Sequence, residues 1–167
     1  KPLTLDLEEL KYFTPYMKSN KLMSTSGFRF AKELDNFRNN RFDLSSIKLI
    51  SGTVVNDLSK YGIHILEAIS GIGISFEKVQ KISKLDISTE SYLISMKDEF
   101  PIYINCLGNV SKTFHLSFFN KHTNFHINLD DNFSAFKRTL INFFDMVKYG
   151  KRSFDYSETI NLMNILI

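Results

Sequence analysis

The chain has 167 residues, of which 43% are apolar and 23% charged, and a formal net charge of +3. That is the length of one domain with a globular balance of side chains, which excludes a disordered or fibrous class. Basic residues are scattered (Lys48, Lys60, Lys78, Lys84, Lys97, Lys112) rather than gathered in a stripe, which argues against nucleic acid as a partner. No segment approaches the roughly 20 apolar residues of a membrane helix, and nothing at the start reads as a signal peptide, so no membrane is expected. Cys106 is the only cysteine. It can form no internal disulfide, which fits a reducing cytoplasm.

In chain order, Asp6 with Glu9 three residues later marks a capped helix start, and Leu7, Leu10, Phe13 and Met17 continue it at helical spacing. Pro15 inside this pattern should kink or shorten the helix. Lys21 to Ser26 is a short strand candidate that ends at Gly27. Ile47 to Val55 is β-branched and predicts a strand. Asp57 to Ser70 reads as a helix with Leu58, Tyr61, Ile65 and Ile69 on one side and Gly71 at its end. From Ile74 to Leu129 short β-rich segments alternate with polar turns, and Phe114, Leu116 and Phe118 alternate with His115 and Ser117. This pattern predicts an antiparallel sheet with one face buried. Phe133, Phe136, Leu140, Phe143, Phe144 and Val147 form an apolar helical stripe closed by Gly150. A last helix starts at Asp155 with Glu158 as capping partner and buries Ile160, Met163 and Leu166. The order of elements predicts an α+β fold, an open, mostly antiparallel sheet with helices packed on one face.

Four landmarks occur in one order: Lys1-Pro2-Leu3 before a capped helix, Gly27-Phe28-Arg29-Phe30, the segment Tyr61-Gly62-Ile63-His64 running to Ser70-Gly71, and Phe144-Asp145-Met146 followed by Gly150, Phe154-Asp155 and Glu158. Together they resemble the glucose–fructose oxidoreductase/inositol dehydrogenase/MocA (Gfo/Idh/MocA) family of oxidoreductases, across essentially the whole chain. The resemblance implies a C-terminal fragment without its Rossmann domain. Residues 1–26 would be the remnant helix and strand of the dinucleotide-binding domain, and residues 27–167 the substrate-binding and oligomerisation domain. The implied function is the substrate side of an NAD(P)-dependent oxidoreductase that acts on a hydroxyl or keto group of a sugar, cyclitol or nucleotide-sugar. NAD or NADP would belong to the full-length parent. None is expected in this fragment, which should be inactive alone. The glycine fingerprint G-x-G-x-x-G is missing, and its nearest match, Gly71-Ile72-Gly73, follows a helix rather than a strand.

The same resemblance implies site residues. His64 matches the family's active-site histidine, and an imidazole exchanges protons near neutral pH. Lys1 matches the lysine of a Glu-Lys-Pro motif beside the nicotinamide, with Pro2 next to it as a cofactor contact. Lys60, Tyr61 and Arg29 are substrate-pocket candidates; the arginine fork suits phosphate or carboxylate. Lys60 departs from the family pattern, which places an aspartate one helical turn before the histidine; an ammonium there favours neutral imidazole. This departure keeps open an alternative, a non-catalytic sugar-binding or oligomerisation module of the same fold. No metal is expected: His122 and His126 lie about 13 Å apart along an extended segment, and no Asp, Glu or Cys completes a set. Cys106 reads as a buried strand residue. Apolar strand residues outnumber what two or three helices can cover, so the open sheet face is expected to pair with a second copy in a homo-oligomer.

Overall fold

The structure is a computed structural model that describes residues 2–39, 41–85, 89–97 and 100–167. Helix α1 spans Leu7–Lys18, with the Asp6 carboxylate accepting the Glu9 backbone N–H at 2.9 Å. The helix continues through Pro15 to Lys18, so the proline does not divide it. Its inner side buries Leu10 and Met17 in the common core and packs on α5 (Tyr156–Leu166). The strand expected over Lys21–Ser26 does not form. The carbonyls of Leu22 and Ser24 accept from the side chains of Arg152 and Thr159, so the backbone here bonds to side chains rather than to a neighbouring strand. A 3-10 turn at Gly27–Phe30 and a short helix α2 (Asp35–Arg38) lead into β1 (Ile47–Val54). The helix predicted over Asp57–Ser70 opens with a π-helical turn, Leu58–Gly62, capped by Asp57. It continues as α3, Ile63–Ser70.

Five more strands follow: β2 (Val79–Leu85), β3 (Glu90–Met96), β4 (Ile102–Cys106), β5 (Phe114–Asn120) and β6 (Asn124–Asn128). Among the described residues they make one sheet in the order β2-β3-β4-β1-β5-β6, parallel at β1/β4 and antiparallel elsewhere. The α+β fold with an open, mostly antiparallel sheet is therefore observed as predicted.

Alternation along the strands separates the two faces. Ile50, Val54, Ile102, Ile104, Leu116 and Phe118 are buried beneath α3, whose Ile65, Leu66 and Ile69 meet them. The approach is close at Gly52, where any Cβ would overlap the Ile65 side chain. A glycine in mid-strand is thus what lets α3 lie against β1. Phe37 seals the β5–β6 end, with ring centroids 4.5 Å from Phe118 and 4.9 Å from Phe42. The opposite face is more polar than the count of apolar strand residues suggested. Ser51, Thr53, Asn105, His115, Ser117 and His126 share it with the half-buried Leu49, Leu93, Tyr103 and Phe119. Its hydroxyl and amide groups bond across strands, Ser91 to Asn105 at 3.0 Å and Ser117 to the His126 ring at 2.9 Å.

Helix α4 (Asn132–Tyr149) forms where its periodicity predicts, capped by Asp131 and stopped by Gly150 in the left-handed conformation at φ 63°. Its apolar stripe, however, does not face the core. Phe133 is 79% exposed, and Phe136, Phe144 and Val147 are also exposed, whereas Ala135 and Met146 are buried. Helical periodicity locates an apolar face but does not specify which body covers it. The final helix α5 carries the predicted capping box and buries Met163 fully. Leu162 and Ile165 are its other buried aliphatics, whereas Ile160 and Leu166 are half-buried.

Candidate active site

His64 sits in the first turn of α3, and the loop Ser24–Gly27 crosses in front of it. The Ser26 hydroxyl lies 2.7 Å from the His64 Nδ1. Three aromatic rings meet the imidazole edge-on, with centroids of Phe28 and Tyr61 at 5.9 Å and Phe114 at 5.5 Å. This apolar collar pushes the imidazole down to about 4 by burial, so the ring is neutral at physiological pH. A cavity of about 660 Å³ opens onto it, large enough for a monosaccharide-sized ligand. Its walls combine the rings of Tyr61, Phe114 and Phe136 with the polar side chains of Asn56, Asn109 and Asn132. Asn56 follows β1 in the left-handed conformation at φ 61° and exchanges backbone hydrogen bonds with Gly108, which carries the 109–112 loop to the cavity rim. Non-glycine residues held in this conformation concentrate at ligand sites.

Of the residues singled out in the sequence, His64 and Tyr61 come together in this cavity. Lys60 does not line it: its side chain is exposed, with the ammonium 4.0 Å from the Asp57 carboxylate. Pro2 is half-buried and does not line the cavity either, and Lys1 lies outside the described residues.

Arg29 is placed elsewhere. It is 3% exposed and each nitrogen of its guanidinium makes one bond: Nε with the Glu67 carboxylate, Nη1 with Glu158 at 2.8 Å, Nη2 with Ser70 at 3.0 Å. Its plane lies 4.0 Å from the Phe154 ring centroid. A buried fork committed to two carboxylates and a serine serves as a structural tie, and it does not line the His64 cavity. Burial raises the Glu67 carboxyl, while Arg29 and the Thr25 hydroxyl, 3.1 Å away, pull it back. Because Thr25 precedes Ser26 and Glu67 lies one turn after His64 on α3, this buried cluster fixes the frame in which Ser26 meets His64.

Ser26, Asn56, Asn109, Lys112 and Asn132 are lining polar residues that the sequence did not single out. Asn56 had one signal, a small polar residue directly after a strand that runs toward the site. Cys106 is buried in β4, where burial pushes its thiol up to about 12 and leaves it inert. Among the described residues no group of three or more His, Cys, Asp or Glu is placed to hold a metal ion. Gly71, in the nearest approach to a glycine fingerprint, is packed so that any added atom would strike the Arg29 carbonyl. That leaves no room for a pyrophosphate.

No protein-family model matches the chain, and no curated protein matches it. Solved structures do share its fold. Myo-inositol 2-dehydrogenase from Lactobacillus plantarum superposes with a TM-score of 0.76 at 15% identity, over 99% of this chain and 67% of its own. A gentamicin A biosynthesis protein in complex with NAD gives 0.74 at 10% identity, over 99% and 66%. UDP-N-acetylglucosamine 3-dehydrogenase from Acidithiobacillus ferrooxidans gives 0.68 at 10% identity, over 99% and 65%. The chain thus spans about two thirds of the length of proteins that are similar to it over its whole extent.

Proposed function

We propose that this chain is the substrate side of an NAD(P)-dependent oxidoreductase acting on a hydroxyl or keto group of a sugar, cyclitol or nucleotide-sugar. The observation that carries the reading is His64: a neutral imidazole, anchored through Nδ1, facing a cavity rimmed by asparagine amides and aromatic rings. Amides and rings are the surfaces that polyols bind, and the imidazole is the group that meets the reacting oxygen. The shared fold with an inositol dehydrogenase and a nucleotide-sugar dehydrogenase supports the substrate class. The NAD bound in a third relative supports the cofactor.

The dinucleotide would be held by a separate domain, for which residues 1–26 supply the connection and residues 27–167 the substrate wall. Its docking face is the exposed apolar side of α4, because Phe136 and Asn132 of that helix also rim the His64 cavity. A body covering the stripe would close the pocket at the same time. Without it the fragment should turn over nothing. The half-apolar open sheet face would join a second copy, and a cytoplasmic location agrees with the free thiol of Cys106. Among the described residues no helix is long and apolar enough to cross a membrane.

The test is turnover with cyclitol and nucleotide-sugar substrates by protein that includes a nucleotide-binding domain. His64→Ala should retain dinucleotide binding and lose roughly 10²–10⁴-fold in turnover. Unchanged turnover removes His64 from the chemistry. One observation favours a second reading, a non-catalytic sugar-binding module: the residue one turn before His64 is the exposed Lys60, paired with Asp57 instead of with the imidazole. Sugar binding without oxidation of any of these substrates would select it.

A further inference from the structure

The hydrogen bond between Ser26 and His64 carries information about where the imidazole proton resides. Ser26 Oγ already accepts the Phe28 backbone N–H at 3.3 Å, as the cap of the 3-10 turn. The serine has one proton to donate, and among the described residues the acceptor that meets it is the His64 Nδ1 at 2.7 Å. Ser26 is 7% exposed, and the short His64 contact is its one side-chain partner among the described residues. A proton on Nδ1 would turn that nitrogen into a donor and leave the serine hydroxyl without a protein acceptor, the kind of arrangement buried polar groups avoid. The satisfied arrangement has Ser26 donating to a bare Nδ1, which puts the single proton of the neutral ring on Nε2. Nε2 makes no hydrogen bond among the described residues, while the ring lines the cavity.

Resting on the reading of His64 as the group that meets the substrate, we propose that Ser26 is the positioning residue that fixes the His64 proton on Nε2. A neutral imidazole then presents an N–H donor to the cavity. That suits holding the oxygen of a carbonyl, or of an alkoxide developing from it, and so favours the keto form of the substrate as the bound state. The loop is not free to drift from this geometry. Thr25 bonds to Glu67, one turn along α3 from His64, and Glu67 is clamped by Arg29.

Long-range 1H–15N NMR of the purified protein at pH 7 reads the tautomer directly. We expect a proton-free Nδ1 and a proton-bearing Nε2; a proton on Nδ1 overturns the proposal. Ser26→Ala removes the donor and should raise the share of the Nδ1–H tautomer measurably above that of the wild type. Ser26→Thr keeps the hydroxyl and should preserve the wild-type pattern, and an unchanged pattern in folded Ser26→Ala also overturns the proposal. Should the loss of the cap unfold Ser26→Ala, the wild-type spectrum still decides. The readout involves no turnover, so a protein that oxidises no sugar yet shows the Nε2 proton would remove the dehydrogenase reading and leave the role of Ser26 standing.

Discussion

Arg29→Met tests the buried cluster behind the active-site loop. The guanidinium is 3% exposed, bonds two carboxylates and a serine, and lies against the Phe154 ring. Methionine restores much of the apolar volume but leaves Glu67, itself 1% exposed, without its counter-ion. Removing one partner of a buried pair costs about 3–5 kcal/mol, because the remaining charge is stranded. In a domain of this length about 1 kcal/mol shifts the melting temperature by roughly 2–4 °C, so a drop on the order of 10 °C follows. The sign of the pH dependence is a second check. Burial raises the Glu67 carboxyl above its unfolded value even with Arg29 present. A group raised in this way is least costly when protonated, and stability is lost as pH rises through its folded pKa. Without Arg29 the carboxyl rises further, so the variant should gain stability between pH 7 and pH 5 relative to the wild type. Urea unfolding at both pH values, with Glu67→Gln and the double variant completing a cycle, measures each step. A loss below about 1 kcal/mol, typical of an exposed ion pair, would refute the reasoning. So would a variant whose stability ignores pH.

His64 gives the opposite pH slope. Its folded pKa of about 4 lies below the ordinary value of 6.5, so its contribution is complete above pH 6.5 and is lost as pH falls toward 4. The full loss is about 3 kcal/mol at about 1.4 kcal/mol per unit; between pH 7 and 4.5 the wild type should therefore lose roughly 2 kcal/mol more than His64→Phe in denaturation. Gly71→Ala forces a methyl into the Arg29 carbonyl, and the strain of overpacking, about 1–3 kcal/mol, should appear as a lowered urea midpoint with an unchanged slope. On α4, Phe144→Ser should change stability by less than about 0.5 kcal/mol while Met146→Ala costs about 2–5 kcal/mol, because the first side chain is 62% exposed and the second 3%. Equal effects would mean the helix packs by its apolar stripe after all.

Local chemistry was legible in the sequence wherever neighbours along the chain decide it. The Asp6 and Asp155 caps, the Gly150 stop and the alternation of β5 all depend on residues a few positions apart, and each stands where it was read. His64 and Tyr61 shared a helix in the sequence, so their meeting in one cavity required no long-range information. Ser26 did require it: 38 positions separate it from His64, and the bond exists because the Thr25–Glu67 contact brings an irregular segment against α3. The same irregularity misled the strand expectation for Lys21–Ser26, where side chains of α5 and its approach capture the carbonyls that a ladder would have used.

Arg29 was misplaced, and what covers the α4 stripe was not legible, for a related reason. An arginine in a polar loop and an arginine buried between two carboxylates have the same local sequence; only Glu67 and Glu158, at 38 and 129 positions' distance, distinguish them. For α4 the pattern correctly marks a face that leaves water, but the fold of these residues alone provides no cover for it. Six bulky side chains kept exposed would be a liability for solubility in a self-sufficient domain. That one of them, Phe136, lines the His64 cavity together with Asn132 of the same helix is why we assign the stripe to a catalytic partner domain and the open sheet face to a second copy. A nucleotide-binding domain supplied in trans should therefore protect the amide hydrogens of 132–149 from exchange and leave those of β3 and β4 unchanged; protection of the strands instead would reverse the two assignments.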